Sequence, residues 1–203
     1  MTRRCKKISD IARGVDSAAL RVFVPRVVDR GLFNPLWSID KFLERKNRVY
    51  KAGRDGVHLD EIVRQFPDLF MAHLAFPGNC FLKEGINEIF TLVCGTGATK
   101  FDNTNAYLGV GDSDTVADDD DTDLLGTNKA YKAMDASFPT YGSSQKATWR
   151  STFGTGDGNF DWKEVTVANG SSGAAKNMNR KVQAMGPKTS DNTWITTLEN
   201  SLS

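Results

Sequence analysis

The densest concentration of ionisable groups in the chain is the run 112–123, DSDTVADDDDTD, where seven of twelve residues are aspartate. Carboxylates at this density could take a divalent cation, with Asp112, Asp114, Asp118, Asp120 and Asp123 as oxygen ligands. The spacing argues against an EF-hand, which needs glycine at its sixth position and glutamate at its twelfth. Counted from Asp112, those positions hold Ala117 and Asp123. The run is read as a loop, because like charges this close cannot pack without counter-ions. A second candidate, GTGDGN at 154–159, is glycine-rich. No Lys-Ser/Thr follows it and no helix opens after it, as a phosphate cradle requires, so a turn between strands is expected.

The remaining reactive residues do not assemble into a recognisable machine. His58 and His73 are the two histidines, and neither belongs to an HExxH pattern. No GxSxG nucleophile elbow occurs. Cys94 ends an apolar helical stripe and reads as a packed thiol. Asp60 and Glu61 are adjacent, and neighbouring helical positions diverge by about 100°, so they are not an acid/base pair by themselves. Aromatic and basic residues interleave in WRSTF and FDWKEV, as in a stacking platform for single strands. Trp149 and Phe153 share one expected strand face, however, and so do Phe160 and Trp162, which is how core residues are spaced. No catalytic, cofactor-binding or metal-ligating residues are assigned, and the chain is read as a non-enzyme.

The elements that carry these residues fall into two halves. In the last third, KATWRSTF at 146–153 places Ala147, Trp149, Ser151 and Phe153 on one side, and Lys146, Thr148, Arg150 and Thr152 on a wet one. Residues 160–169, 177–185 and 193–202 repeat the alternation, with GSSG at 170–173 and GPKTSDN at 186–192 as punctuation. Closely spaced strands with turn signals predict a β-sandwich or barrel. Leu82, Ile86, Ile89, Phe90 and Val93 form a helical stripe closed by Gly95, a helix that would pack on the sheet. Upstream, Ile8, Ile11, Val15 and Val22 recur at helical spacing. Ser38 would cap a second helix with Ile39, Phe42, Leu43, Val49 and Tyr50 inside. Leu59, Ile62, Val63 and Phe66 mark a third, stopped by Pro67. The apolar stretch 69–76 is too short for periodicity to choose between strand and helix.

A formal net charge of +1 conceals an asymmetry. Residues 1–54 carry 14 Lys and Arg against 5 Asp and Glu, which leaves the other 149 residues at −8. A basic segment on an acidic body can seek phosphate, or the acidic surface of a neighbour, including another copy. Cys5, Cys80 and Cys94 are odd in number, far apart and without a CxxC, so free thiols are expected. No apolar run approaches the ~20 residues of a membrane helix, and no apolar core of secretory length follows the basic N-terminus.

The run NAYLGVGDSDT, TDLLGTNKAYKAMDASFPTY, ATWRSTFGTGDGNFDWKEVTVANGSSGAAKNMNRKV and GPKTSDNTW resembles a group of tailed-bacteriophage virion proteins. In that group a segment like LKEGINEIF precedes a domain marked by a YLGVGD turn, a TDLxGTNK segment, an FxxTFGxGxxNFxW strand pair and an LNRKV hairpin. Here they fall on residues 82–90, 107–112, 122–129, 149–162 and 178–182, with Met178 in place of leucine, a volume-conserving change. The resemblance covers roughly residues 80–203.

Together these readings predict an α+β protein. A basic, partly helical N-terminal arm would span 1–80, and an antiparallel β-sandwich with one packed helix would span 81–203. The resemblance implies a structural virion protein assembled in the host cytoplasm, foremost a capsid decoration (cement) subunit bridging capsomers. A tail, neck or fibre-associated adaptor is the alternative, and a nucleic-acid-binding protein using the arm a second. The implied partners are the major capsid protein or other virion subunits and further copies of the chain, with no membrane. Ile8, Ile11, Val15, Ile39, Phe42 and Leu43 would bury apolar faces on neighbours, and Arg3, Arg4, Lys6 and Lys7 would pair with acidic groups.

Overall fold

The computed structural model describes residues 33–44, 46–172 and 174–202. Within them ten strands form two antiparallel five-stranded sheets, accompanied by three α-helices, in an α+β sandwich. The first sheet runs in the order β2 (Phe70–Pro77), β1 (Phe33–Leu43), β10 (Asn192–Leu202), β7 (Lys146–Phe153) and β6 (Thr140–Ser143). The second runs β3 (Cys80–Phe81), β9 (Asn179–Pro187), β8 (Asp161–Ala168), β4 (Tyr107–Gly111) and β5 (Lys129–Ala133).

Period-two alternation supplies the core. Trp37 and Ile39 of β1, Trp149 and Phe153 of β7, and Trp194 and Leu198 of β10 meet Leu108, Val110, Trp162, Val165 and Val167 from the second sheet. Trp162 sits at the centre, edge-on to Phe153 with centroids 4.8 Å apart and to Trp194 at 4.7 Å. Such aromatic pairs are worth about 0.5–1.5 kcal/mol each beyond the area they bury.

Both sheets also carry further structure on their outer faces. On the first, α1 (Arg48–Arg54) and α2 (Leu59–Gln65) lay Val49 and Ile62 over Phe42 and Ile195 in a second apolar cluster. Glu44, 2% exposed, closes the start of α1 by accepting from the backbone N–H of Val49 at 2.8 Å and of Tyr50 at 3.1 Å. At its other end Arg150 donates to the carbonyls of Gly53 (3.0 Å) and Val57 (2.9 Å). Helix ends leave such groups orphaned, so a short helix with both ends satisfied can be held firmly. On the outer face of the second sheet the 112–126 loop closes over Glu164 and Arg180, contacting both side chains.

Three expectations are corrected by this arrangement. The helix expected from Ser38 is a strand up to Leu43, and helix begins only at Arg48. β1 pairs with β10 on one side and β2 on the other, with a register shift at Lys41/Phe42. The shift is an extra residue of β2 at Met71, and β1 itself alternates regularly. Ile39 faces the core between the sheets and Phe42 the cluster under α1 and α2, so two opposite faces each bury an apolar residue at a three-residue spacing that imitates a helix. The arm boundary at residue 80 moves accordingly, since residues 33–80 supply two strands of the first sheet and the helices over it. Ile39 and Phe42, both 0% exposed, hold this interior together and face no partner, whereas Leu43 is 49% exposed. Arg3, Arg4, Lys6, Lys7, Ile8, Ile11 and Val15 lie outside the described residues. Lastly, the expected wet face of β7 is dry at Arg150 (3%) and Thr152 (0%), because α1 covers it.

Other readings agree with the structure. Residues 160–169, 177–185 and 193–202 coincide closely with β8, β9 and β10, 59–66 contains α2, and GTGDGN is the turn from β7 to β8. The ambiguous stretch 69–76 is the edge strand β2.

Candidate functional site

The acidic run is a loop, and its counter-ions are the protein's own. Lys83 pairs with Asp120 at 2.6 Å and Asp119 at 3.3 Å, and Lys129 with Asp123 at 2.8 Å. Arg180, fully buried, donates to Asp121 at 3.0 Å and to the Thr115 carbonyl at 3.0 Å. Asp118, Asp119 and Asp120 bring carboxylate oxygens within 4.8 Å of one another, with the Lys83 ammonium already on two of the three. Burial raises the pKa of Asp123, but hydrogen bonds from Lys129 and Tyr131 outweigh it and hold the carboxyl below its ordinary value. For Tyr131, burial and the same contact push the phenol far above its usual range, so it is a fixed donor.

Behind the loop lies the main polar knot of the sandwich. Glu164, 0% exposed, accepts from Arg180 Nε at 2.7 Å and from the backbone N–H groups of Leu125 (3.1 Å) and Gly126 (2.6 Å). Room for its carboxylate exists because Gly111 and Gly126 lack side chains: a Cβ on either would come within 2.2 Å and 2.9 Å of a Glu164 oxygen. Asp112 then accepts from Asn128 Nδ2 at 2.6 Å, tying the ends of the loop together. YLGVGD supplies Gly111 and Asp112, TDLLGTNK supplies Gly126 and Asn128, and NMNRKV supplies Arg180. These motifs therefore mark a structural knot in the fold.

A second buried knot lies under α1. Asp135, 0% exposed, accepts from Arg150 Nε at 3.0 Å, Arg54 Nη1 at 3.1 Å, and the backbone N–H (3.0 Å) and hydroxyl (2.8 Å) of Thr152. It clamps β7 to α1. Sequence reasoning missed both knots, because their members are widely separated along the chain: the motifs single out the segments of the first without showing that they meet, and no motif singles out Arg54, Asp135 or Arg150 of the second.

The histidines and thiols lie apart. His73 Nδ1 is 2.7 Å from Asp40 Oδ1 and half exposed, while Asp40 is buried; burial raises the Asp40 carboxyl and the His73 contact opposes that. His58 stands in solvent 3.6 Å from Asp60. Burial, followed by the nearby aspartates, pushes the Cys80 thiol upward and makes its thiolate scarce at neutral pH. Cys80 and Cys94 are both free.

What remains is a surface. In α3 (Lys83–Cys94) the side facing the body is Gly85, Ile89 and Leu92, not the full expected stripe. Ile86 (37% exposed), Phe90 (62%) and Val93 (77%) point outward. Phe33, 42% exposed, stacks edge-on to Phe81 with centroids 4.5 Å apart. Phe33, Phe81, Ile86, Ile89 and Phe90 line an open hollow of about 360 Å³. An isolated exposed apolar residue needs no account, but a contiguous aromatic and aliphatic group does. This hollow is the candidate site, and what it can do is bind an apolar partner. No helix among the described residues is long and apolar enough to cross a membrane. Comparison with known families, characterised proteins and solved structures finds no match to this chain.

Proposed function

We propose that this protein is a structural subunit of a tailed-phage particle, a decoration (cement) protein that binds the assembled shell and bridges capsomers. The observation that carries the reading is the apolar surface of α3 with Phe33 and Phe81, on a body whose buried charges Glu164, Arg180, Asp135 and Arg150 are paired with one another. The resemblance of residues 80–203 to virion proteins and the basic N-terminal segment on an acidic body support it. The partners would be the major capsid protein or adjacent virion subunits, with further copies of the chain, and the protein would reside in the virion. Many weakly attached copies raise the stability of a shell because each contact is multiplied by copy number and avidity.

The test uses particles assembled without the protein. Adding back the full chain should raise their rupture temperature and add density on the shell in cryo-microscopy. The variant Phe90→Asp/Val93→Asp should keep its own melting temperature, since both side chains already face water, yet fail to decorate. Unchanged rupture temperature with the native chain removes the cement role. Density confined to the tail replaces it with the adaptor role.

A further inference from the structure

A sheet edge offers unpaired N–H and C=O groups to any passing strand, and proteins normally blunt their edges with charge, brevity or irregularity. Three of the four edges here follow that rule. β3 is two residues long, β6 is four and loses register between Thr140 and Ser143, and β5 (KAYKA) carries Lys129 and Lys132. β2 follows it least, with its one register shift at its start near Met71 and its proline, Pro77, at its end. It is eight residues long, FMAHLAFP, and residues 69–82 contain no Lys, Arg, Asp or Glu. Among the described residues, β1 is its only strand partner.

The direction of its backbone groups follows from one hydrogen bond. Gly78 N–H donates to the Pro35 carbonyl at 2.9 Å, and Leu36 is in register with Pro77, so Gly78 and Pro35 form a bonded pair. Bonded and non-bonded pairs alternate in antiparallel ladders. Phe76, Leu74 and Ala72 therefore turn their backbone groups towards β1, and Ala75 and His73 turn theirs outward. The ladder is regular from Ala72, where the register shift near Met71 ends, to Pro77, which has no N–H to donate.

We propose that β2 pairs with β2 of a second copy, antiparallel about a two-fold axis at Leu74, joining two five-stranded sheets edge to edge. This register sets His73 against Ala75 of the other copy, Ala72 against Phe76, and Leu74 against itself. Each bulky side chain other than Leu74 meets an alanine, and the outward groups of His73 and Ala75 satisfy one another in four inter-copy hydrogen bonds. That self-complementarity selects a second copy over an unrelated strand. The two-fold closes the pairing, so it stops at a dimer. The inference stands independently of the virion reading.

Sedimentation of the full chain over a range of concentrations should show a reversible monomer–dimer equilibrium. Ala75→Pro removes an outward donor and leaves the β1 ladder intact. It should weaken the dimer at least tenfold without moving the melting temperature by more than a few degrees. Leu74→Cys, with Cys5, Cys80 and Cys94 changed to Ser, places two thiols in a non-bonded pair. Cα atoms there stand about 4.5 Å apart, within disulfide reach. Mild oxidation should cross-link it, whereas Ala75→Cys should stay largely unlinked. A native chain that is monomeric at all concentrations overturns the proposal. So does a dimer indifferent to Ala75→Pro, or a folded Leu74→Cys that never cross-links.

Discussion

Glu164 shows how much of this fold depends on a single charged side chain. Its carboxylate is shut away from water and is affordable only because a guanidinium and two backbone donors surround it. Removing one partner of such a pair costs more than the pair contributes, because the survivor stays buried and unpaired. Glu164→Ala should therefore lower stability by about 3–5 kcal/mol. For a domain of this size that is a drop of roughly 10 °C in melting temperature. Glu164→Leu/Arg180→Leu should cost less than Glu164→Ala alone, since it leaves no fully buried charge unpaired; Asp121, which also loses Arg180, keeps some access to water. Differential scanning calorimetry of both variants decides it, and a double variant that is the less stable of the two would refute the account. The apolar knobs of the core, Trp149, Phe153 and Trp162, were legible from alternation. Glu164 was not, because period-two patterning reads it as one more polar residue on an outer face. Its burial depends on a loop that starts some fifty residues earlier.

At the level of elements, α3 poses two opposing effects at one position. Gly85 weakens a helix by about 1 kcal/mol relative to alanine, so propensity alone favours Gly85→Ala. The structure opposes it, because a Cβ there would lie 2.4 Å from Met178 Cα and 2.6 Å from the Asn177 carbonyl oxygen. Both are backbone atoms of the strand-leading segment that α3 rests on, held by Leu82 N–H to Met178 O at 3.1 Å and Asn177 N–H to Glu84 at 2.7 Å. They cannot step aside as a flexible side chain would. Overpacking of this kind costs about 1–3 kcal/mol, which outweighs the propensity gain. Urea unfolding of Gly85→Ala should thus show a net loss, and a gain near 1 kcal/mol would mean that α3 rides higher on the sheet than described. The same close approach explains why the helix was legible and its orientation was not. Leu82, Ile86, Ile89, Phe90 and Val93 form an apolar stripe, yet the contact line runs through Gly85, a residue that no hydrophobic pattern selects. The stripe is rotated, and part of it becomes the exposed surface. β1 was misread for the complementary reason. Trp37 and Ile39 alternate with Ser38 and Asp40, but Phe42 buries on the opposite face, so the apolar phase changes side within the strand and the period of two is lost.

For the whole molecule, the question is where the cooperative unit begins. Every member of both apolar clusters lies between Trp37 and Leu198. β1 is an inner strand: its removal strips β10 of one neighbour and β2 of its only one among the described residues. It also takes Trp37, Ile39 and Phe42, three fully buried side chains, out of two cores at once. Truncating any one of them to alanine would cost about 2–5 kcal/mol, and losing all three approaches or exceeds the 5–15 kcal/mol that holds a typical domain folded. A chain of residues 31–203 should therefore keep the near-ultraviolet circular dichroism of the full protein and a single sharp unfolding transition. A chain of residues 81–203, cut at the boundary that composition suggested, should lose both and aggregate through the exposed edge of β10. The change from helical spacing to turn-rich sequence that suggested the boundary is a local property, and a local property need not coincide with the border of a core. The cost of a cut is set by which strands it separates. If residues 81–203 alone gave a native-like aromatic spectrum and a cooperative melt, β1 and β2 would be a detachable layer on a smaller domain, and the apolar clusters that join them to β10 would contribute far less than their burial implies.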